Sequence, residues 1–242
     1  MILVTGATGS IGRHLVRCLR PPWKDAHMDA ETLLTTTRSV RRKLDLDRPV
    51  EDEVLTDCLR IAMQAPAAGV VMQGIRWIVI REPGLKAAVA GHVREPGLAS
   101  QARFGDRVSP ATLASGRHLL DVLHRVPVLV LSCLLGRPEG DPVYLNAFYG
   151  SVYPAIWSFQ LALRARGLGT TITGYHLNGH EQQVAELLGI PDGVTQIALL
   201  PVAYTTTTSF RPAARPPVED ITYYERWGQS RSTHPSSGGL TL

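Results

Sequence analysis

The sequence predicts an α+β domain over residues 28–227. Three observations carry this. Three β-branched or continuously apolar runs, IRWIVI (75–80), VPVLVLS (126–132) and TQIALLPVAY (195–204), read as buried strands. Stretches with apolar residues at helical spacing separate them, most clearly at 51–62, 154–166 and 181–188. No internal repeat and no second linker interrupts the span.

Composition sets the outer bounds. The chain has 242 residues, 44% hydrophobic and 19% charged, which is ordinary globular composition with enough apolar material for a sizeable core. A net charge of +4 is too small an excess to imply a nucleic-acid partner. Cys18, Cys58 and Cys133 are odd in number and lack close spacing, which argues against a disulfide framework or a zinc ribbon and for a reducing, cytoplasmic setting. No uncharged apolar run is long enough for a membrane span. Basic residues through the first twenty positions break any signal-peptide pattern.

The first segment is MILVTGATGSIGRHLVRCLR. It resembles the glycine fingerprint of short-chain and NmrA-like NAD(P)-binding proteins, with Gly6, Gly9 and Gly12 after a short apolar strand. Pro21-Pro22 then ends the helix, and WKDAHMDAET offers no second strand to carry a ribose-binding residue. Residues 1–27 are therefore expected to be an appended β-α fragment or a disordered extension. If the fingerprint acted on its own, the alternative would be an NAD(P)-binding redox sensor.

The remaining elements follow in order. Residues 29–37 predict a short helix with Leu33 and Leu34 as its apolar pair, and Asp45–Pro49 a turn. Glu51, Asp52 and Glu53 open a helix with acidic residues at its positive end, and Ala65-Pro66 closes it. Residues 84–118, rich in Gly and Arg, are expected to form helices joined by mobile connections. Leu119–His124 reads as helical, Pro127 belongs at the start or edge of its strand, and 136–144 reads as a loop. Pro154 is placed in the first turn of a helix that Gly167-Leu168-Gly169 terminates. Thr170–Thr173 reads as a short strand, and Gly189 stops the helix of 181–188. Residues 228–242 form a polar tail with the composition of disorder.

Residues 35–50, 54–80, 153–174 and 184–221 together resemble the nitroreductase family. The resemblance rests on TTTRSVRRKLDLDRPVEDEVL, on the helix ending at Ala65-Pro66 followed by Gln73 and the strand at Trp77, on PAIWSFQLALRARGLGT, and on VAELLGIPDGVTQIALLPVAY. It implies a mostly antiparallel central sheet flanked by helices, and a homodimer with FMN at the subunit interface. It also implies ping-pong hydride transfer from NAD(P)H through flavin N5 to an electron-poor small molecule such as a nitroaromatic or quinone. A flavin-dependent dehydrogenase or oxidase of a natural product, and a cofactor-binding protein without turnover, stay open as alternatives.

The same resemblance names the cofactor-binding candidates. Arg38, Ser39 and Arg41 match its phosphate and ribityl segment, where guanidinium and hydroxyl donors suit a phosphate dianion. Thr37 stands where many members carry another arginine. Arg215 matches a late phosphate-binding arginine, with Arg211 as the fallback. Thr173 and Gly174 fall where backbone N–H groups pass the flavin edge. Gln73 is the polar residue kept in the segment Pro66–Gln73, in which a serine has become Ala67 and the asparagine position is Val70 or Val71. Tyr149 and Tyr153 are candidates for an access channel. His176 and His180 have no carboxylate or cysteine partner in sequence, so no metal site is predicted. No nucleophile elbow or Cys–His motif is present.

Overall fold

A computed structural model of the chain describes residues 28–69, 71–138 and 140–230. The glycine fingerprint, and most of the polar tail, lie outside the described residues. The chain divides into two compact units between Phe210 and Arg211.

In the first unit, Asp29 accepts a hydrogen bond from the Thr32 N–H at 2.9 Å and so caps α1 (Ala30–Thr36). Backbone N–H groups of Asp47 and Arg48 close on Asp45 Oδ1, giving the predicted turn. Helix α2 (Asp52–Ala62) buries Val54, Leu55, Cys58 and Ala62, the stripe its sequence spacing foretold. The short α3 (Val71–Gly74) leads into β1 (Ile75–Ile80).

The region 84–118 is helical, as expected. It holds a helix of 22 residues, α4 (Pro83–Phe104), and a second, α5 (Pro110–Val122). Glu82 caps α4 through the Gly84 and Leu85 N–H groups, and Ser109 caps α5 through Thr112. Pro96 lies inside α4 and is buried. The helix tolerates the lost backbone bond because Val89, Ala90 and Val93 pack it onto the sheet. Gly97 lets α5 approach closely: a Cβ there would stand 2.7 Å from a Leu120 methyl.

Strand β2 (Val128–Leu135) starts just after Pro127. Helix α6 (Pro142–Arg164) begins at Pro142, so Pro154 lies in its interior rather than in its first turn. The true start carries its own signal, Asp141 accepting from the Val143 N–H at 2.8 Å with Pro142 next to it. Strand β3 is only Leu168–Gly169, and the predicted strand at 170–173 is reduced to single bridges, Ser39 with Thr170 and Thr173 with Leu199. Helix α7 (Glu181–Leu188) ends on Gly189, whose φ of +65° favours glycine. Strand β4 (Val194–Tyr204) is buried along its whole length.

The four strands form one antiparallel sheet in the order β1-β2-β4-β3. Cores lie on both faces. Val128, Val130, Ala198 and Leu200 meet α2 and α6, while Leu129, Leu131 and Leu199 meet α4 and α5. Burial on two faces is why β2 and β4 read as unbroken apolar runs. The fold is thus α+β with a mostly antiparallel sheet flanked by helices, as the sequence predicted. No helix among the described residues is long and apolar enough to cross a membrane. The second unit contains a short 3₁₀ turn at Val218–Ile221.

Candidate active site

The segment after α1 runs alongside the turn that follows α6. The Val40 N–H donates to the Thr170 carbonyl at 2.9 Å, and Ser39 pairs with Thr170 in parallel register. Gly169 makes this approach possible. A Cβ there would lie 2.6 Å from a Thr205 methyl and 2.9 Å from Val40 Cβ. The glycine-rich turn and the basic segment, far apart in sequence, are therefore held edge to edge.

Beside this seam opens a cavity of about 410 Å³. One part of its wall is Arg41, Ile172, Thr173 and Gly174; α4 and α5 supply Gln101, Phe104, Leu113 and Gly116; Tyr153 comes from α6. Thr173 Oγ1 is buried without a hydrogen-bond partner among the described residues, as are Thr170 Oγ1 and Thr171 Oγ1 in the same turn. Three dry, unpaired hydroxyls in one turn are unusual, since such groups are normally satisfied.

The predicted site residues separate into groups. Arg41, Thr173 and Gly174 line the cavity, and exposed Ser39 sits at its seam. The Thr173 N–H donates to the Leu199 carbonyl at 2.9 Å and is therefore spent, which corrects its expected use toward a flavin edge. The neighbouring Gly174 N–H has no hydrogen-bond partner among the described residues. Arg38 turns its guanidinium onto the Thr35 and Thr37 carbonyls at 2.6 and 2.7 Å. Thr37, in the position of a family arginine, is buried and spends its hydroxyl on the Leu33 carbonyl. Gln73 is exposed on α3 and does not line the cavity. Arg215 belongs to the second unit, is exposed, and donates to the Ala214 carbonyl. The loop before Gln73 is tied down by Ser151, whose Oγ accepts from the Ala68 N–H at 2.9 Å.

Of the two access-channel candidates, Tyr153 lines this cavity and Tyr149 does not. Gln101, Phe104 and Gly116 escaped the sequence reading because 84–118 carries no single apolar stripe to mark a helix face. The cap and proline pair Ser109-Pro110 was the available clue.

Burial pushes the Cys58 and Cys133 thiols up to about 12, so neither is a ready thiolate. His176 is fully buried just after Gly174, and burial lowers it to about 4, leaving it neutral at ordinary pH. His180 Nδ1 faces His92 Nδ1 at 3.2 Å, and no group of three or more metal-ligating side chains gathers among the described residues.

The architecture is an α+β protein, an antiparallel sheet clasped by helices, with an arginine-bearing cavity of small-molecule size beside a glycine-rich turn. The profile of the nitroreductase family matches residues 34–204. The chain belongs to the nitroreductase family, and with it to a class of oxidoreductases. Its fold is similar to solved structures of low sequence identity. A nitroreductase-like family protein from Bacillus cereus is 21% identical, with a TM-score of 0.59 over 83% of this chain and 98% of that one. A BluB-like flavoprotein from Clostridium difficile is 19% identical, with a TM-score of 0.62 over 83% and 100%. Nitroreductase A from Vibrio parahaemolyticus is 14% identical, with a TM-score of 0.61 over 85% and 79%.

Proposed function

We propose that this protein is an FMN-dependent oxidoreductase that passes a hydride from NAD(P)H to an electron-poor small molecule, a nitroaromatic, quinone or similar compound. The observation that carries the proposal is the cavity itself. It joins a cationic side chain, Arg41, to the buried, unpartnered hydroxyl of Thr173 and to apolar walls, a donor set that suits a phosphorylated, planar, polar-edged cofactor. Membership of the family and the flavoprotein name of one structural relative support the same reading.

When bound, FMN supplies the centre that accepts and returns the hydride. The chain supplies the rest. Arg41 and Ser39 hold the phosphate, through charge-assisted and hydroxyl hydrogen bonds from one short segment. Arg38 braces that segment through its hold on the Thr35 and Thr37 carbonyls. The Thr173 hydroxyl and the Gly174 N–H meet polar atoms of the ring system. Ile172, Leu113 and Phe104 keep water from the reacting face.

The functional unit in this proposal is a homodimer. Tyr149, Tyr153 and Trp157 are each about two-fifths exposed and recur every fourth residue on α6, forming one part-exposed aromatic stripe. Tyr153 belongs to both the stripe and the cavity wall, so a second copy on the stripe would close the cavity from that side. Gln73, outside the cavity of its own chain, would reach the cofactor only across such an interface.

The test is the visible spectrum of the purified protein. A yellow protein that NADPH or NADH bleaches, and that releases FMN on denaturation, is the expected result. A colourless protein that takes up no added FMN would refute it.

A further inference from the structure

Gln101 stands in the cavity wall with its carboxamide unused. The residue is 9% exposed, its Oε1 is buried without a donor, and its Nε2 makes no hydrogen bond among the described residues. Buried amides normally satisfy both ends. Gly116 on α5 lies against this amide: a Cβ there would stand 2.9 Å from Gln101 Nε2. Phe104 follows three residues later on the same face of α4 and lines the same cavity. The Arg103 and Arg107 guanidinium groups flank its ring at 4.9 and 5.2 Å. An aromatic surface therefore lies next to an amide that lacks a partner.

We propose that Gln101 is a specificity-determining residue that reads an amide-type edge, a carbonyl oxygen beside an N–H, on a planar ring bound in this cavity. A carboxamide offers one donor and one acceptor side by side in a plane, and its best complement is another group with the same pair. A simple quinone or nitro group offers acceptors only and leaves half of the amide dry. Two sources carry the required edge: the pyrimidine ring of the flavin, and a carboxamide or lactam on the substrate. The inference rests on the cofactor reading above for the first source and is independent of it for the second.

The experiment measures equilibrium binding to the full-length protein by titration calorimetry, in wild type, Gln101→Leu and Gln101→Met. Two probe pairs differ only in the edge: FMN against 3-methyl-FMN, and 4-nitrobenzamide against methyl 4-nitrobenzoate. Wild type is expected to favour the N–H-bearing member of at least one pair by about tenfold, the scale of one hydrogen bond to a buried partner. Both variants should bring that ratio close to one. Because each ratio is taken within one protein, general loosening of the fold moves both members together.

Loss of preference in the flavin pair assigns the cofactor as the ligand of Gln101; loss in the nitro pair assigns the substrate. A protein that binds no FMN yet still separates the nitro pair defeats the cofactor reading and upholds Gln101. Ratios unchanged by both substitutions, or no binding of any probe, overturn the proposal.

Discussion

His176 offers a stability measurement whose sign and size follow from the structure. It lies fully buried in the 3₁₀ turn Tyr175–Leu177, directly after the cavity residue Gly174. Burial lowers its pKa from 6.5 to about 4, against the weaker upward pull of the Glu181 charge and the Gln196 amide. The unfolded chain therefore takes up a proton near pH 6.5, whereas the folded chain resists until about pH 4. Between these values the unfolded state binds more protons, so stability falls as the pH falls. The full gap is worth about 3 kcal/mol at ~1.4 kcal/mol per pH unit. About 2 kcal/mol of it is lost between pH 7.5 and pH 5 by the same linkage. Urea unfolding of wild type and His176→Leu at both pH values isolates the effect. Wild type should lose about 2 kcal/mol more than the variant on acidification. In parallel, the imidazole proton resonance of His176 should titrate near pH 4 rather than 6.5. Equal pH slopes for the two proteins, or a midpoint near 6.5, would refute the reasoning.

The remaining predictions concern the seam, the cavity and the aromatic stripe. Gly169→Ala should destabilise the protein by about 1–3 kcal/mol in urea unfolding, because the added carbon overlaps Val40 and Thr205; it should also weaken FMN binding by separating the basic segment from the turn. Thr173→Val removes a buried hydroxyl that has no partner without ligand. The apoprotein should melt no lower than wild type, while FMN affinity, read by flavin fluorescence, falls several-fold. Arg41→Ala should weaken FMN by about 10–100-fold, the range for a charge-assisted hydrogen bond of ~1.5–3 kcal/mol. Arg38→Ala should weaken it less, since that guanidinium is occupied by carbonyls. Trp157→Glu places a charge in the α6 stripe; under the proposed assembly, sedimentation should give a dimer for wild type and a monomer for the variant.

Strands β2 and β4 were legible because burial on both faces leaves no polar alternation to interrupt them, and β1 because IRWIVI is a β-branched, apolar run broken only by Arg76, although this edge strand exposes Arg76 and Val79. Helix α2 was legible because only one of its faces is buried. The start of α6 was missed because Pro154 looked like a first-turn proline, although Asp141-Pro142 marked the real one. The length of α4 was hidden by Gly97 and Pro96, each of which lowers intrinsic helicity and is tolerated only because the helix packs on the sheet and on α5.

Local sequence by itself determined the fold class, the basic segment at Arg38–Arg41 and the glycine turn that meets it, because periodicity and turn chemistry are written in neighbouring residues. Tertiary structure alone decided which of those residues share a cavity. It set Arg41 and Thr173 against Gln101 and Gly116, spent the Thr173 N–H on Leu199, and placed Gln73 outside. Such choices depend on hydrogen-bond partners and close approaches between distant segments, and no pattern within one segment records them.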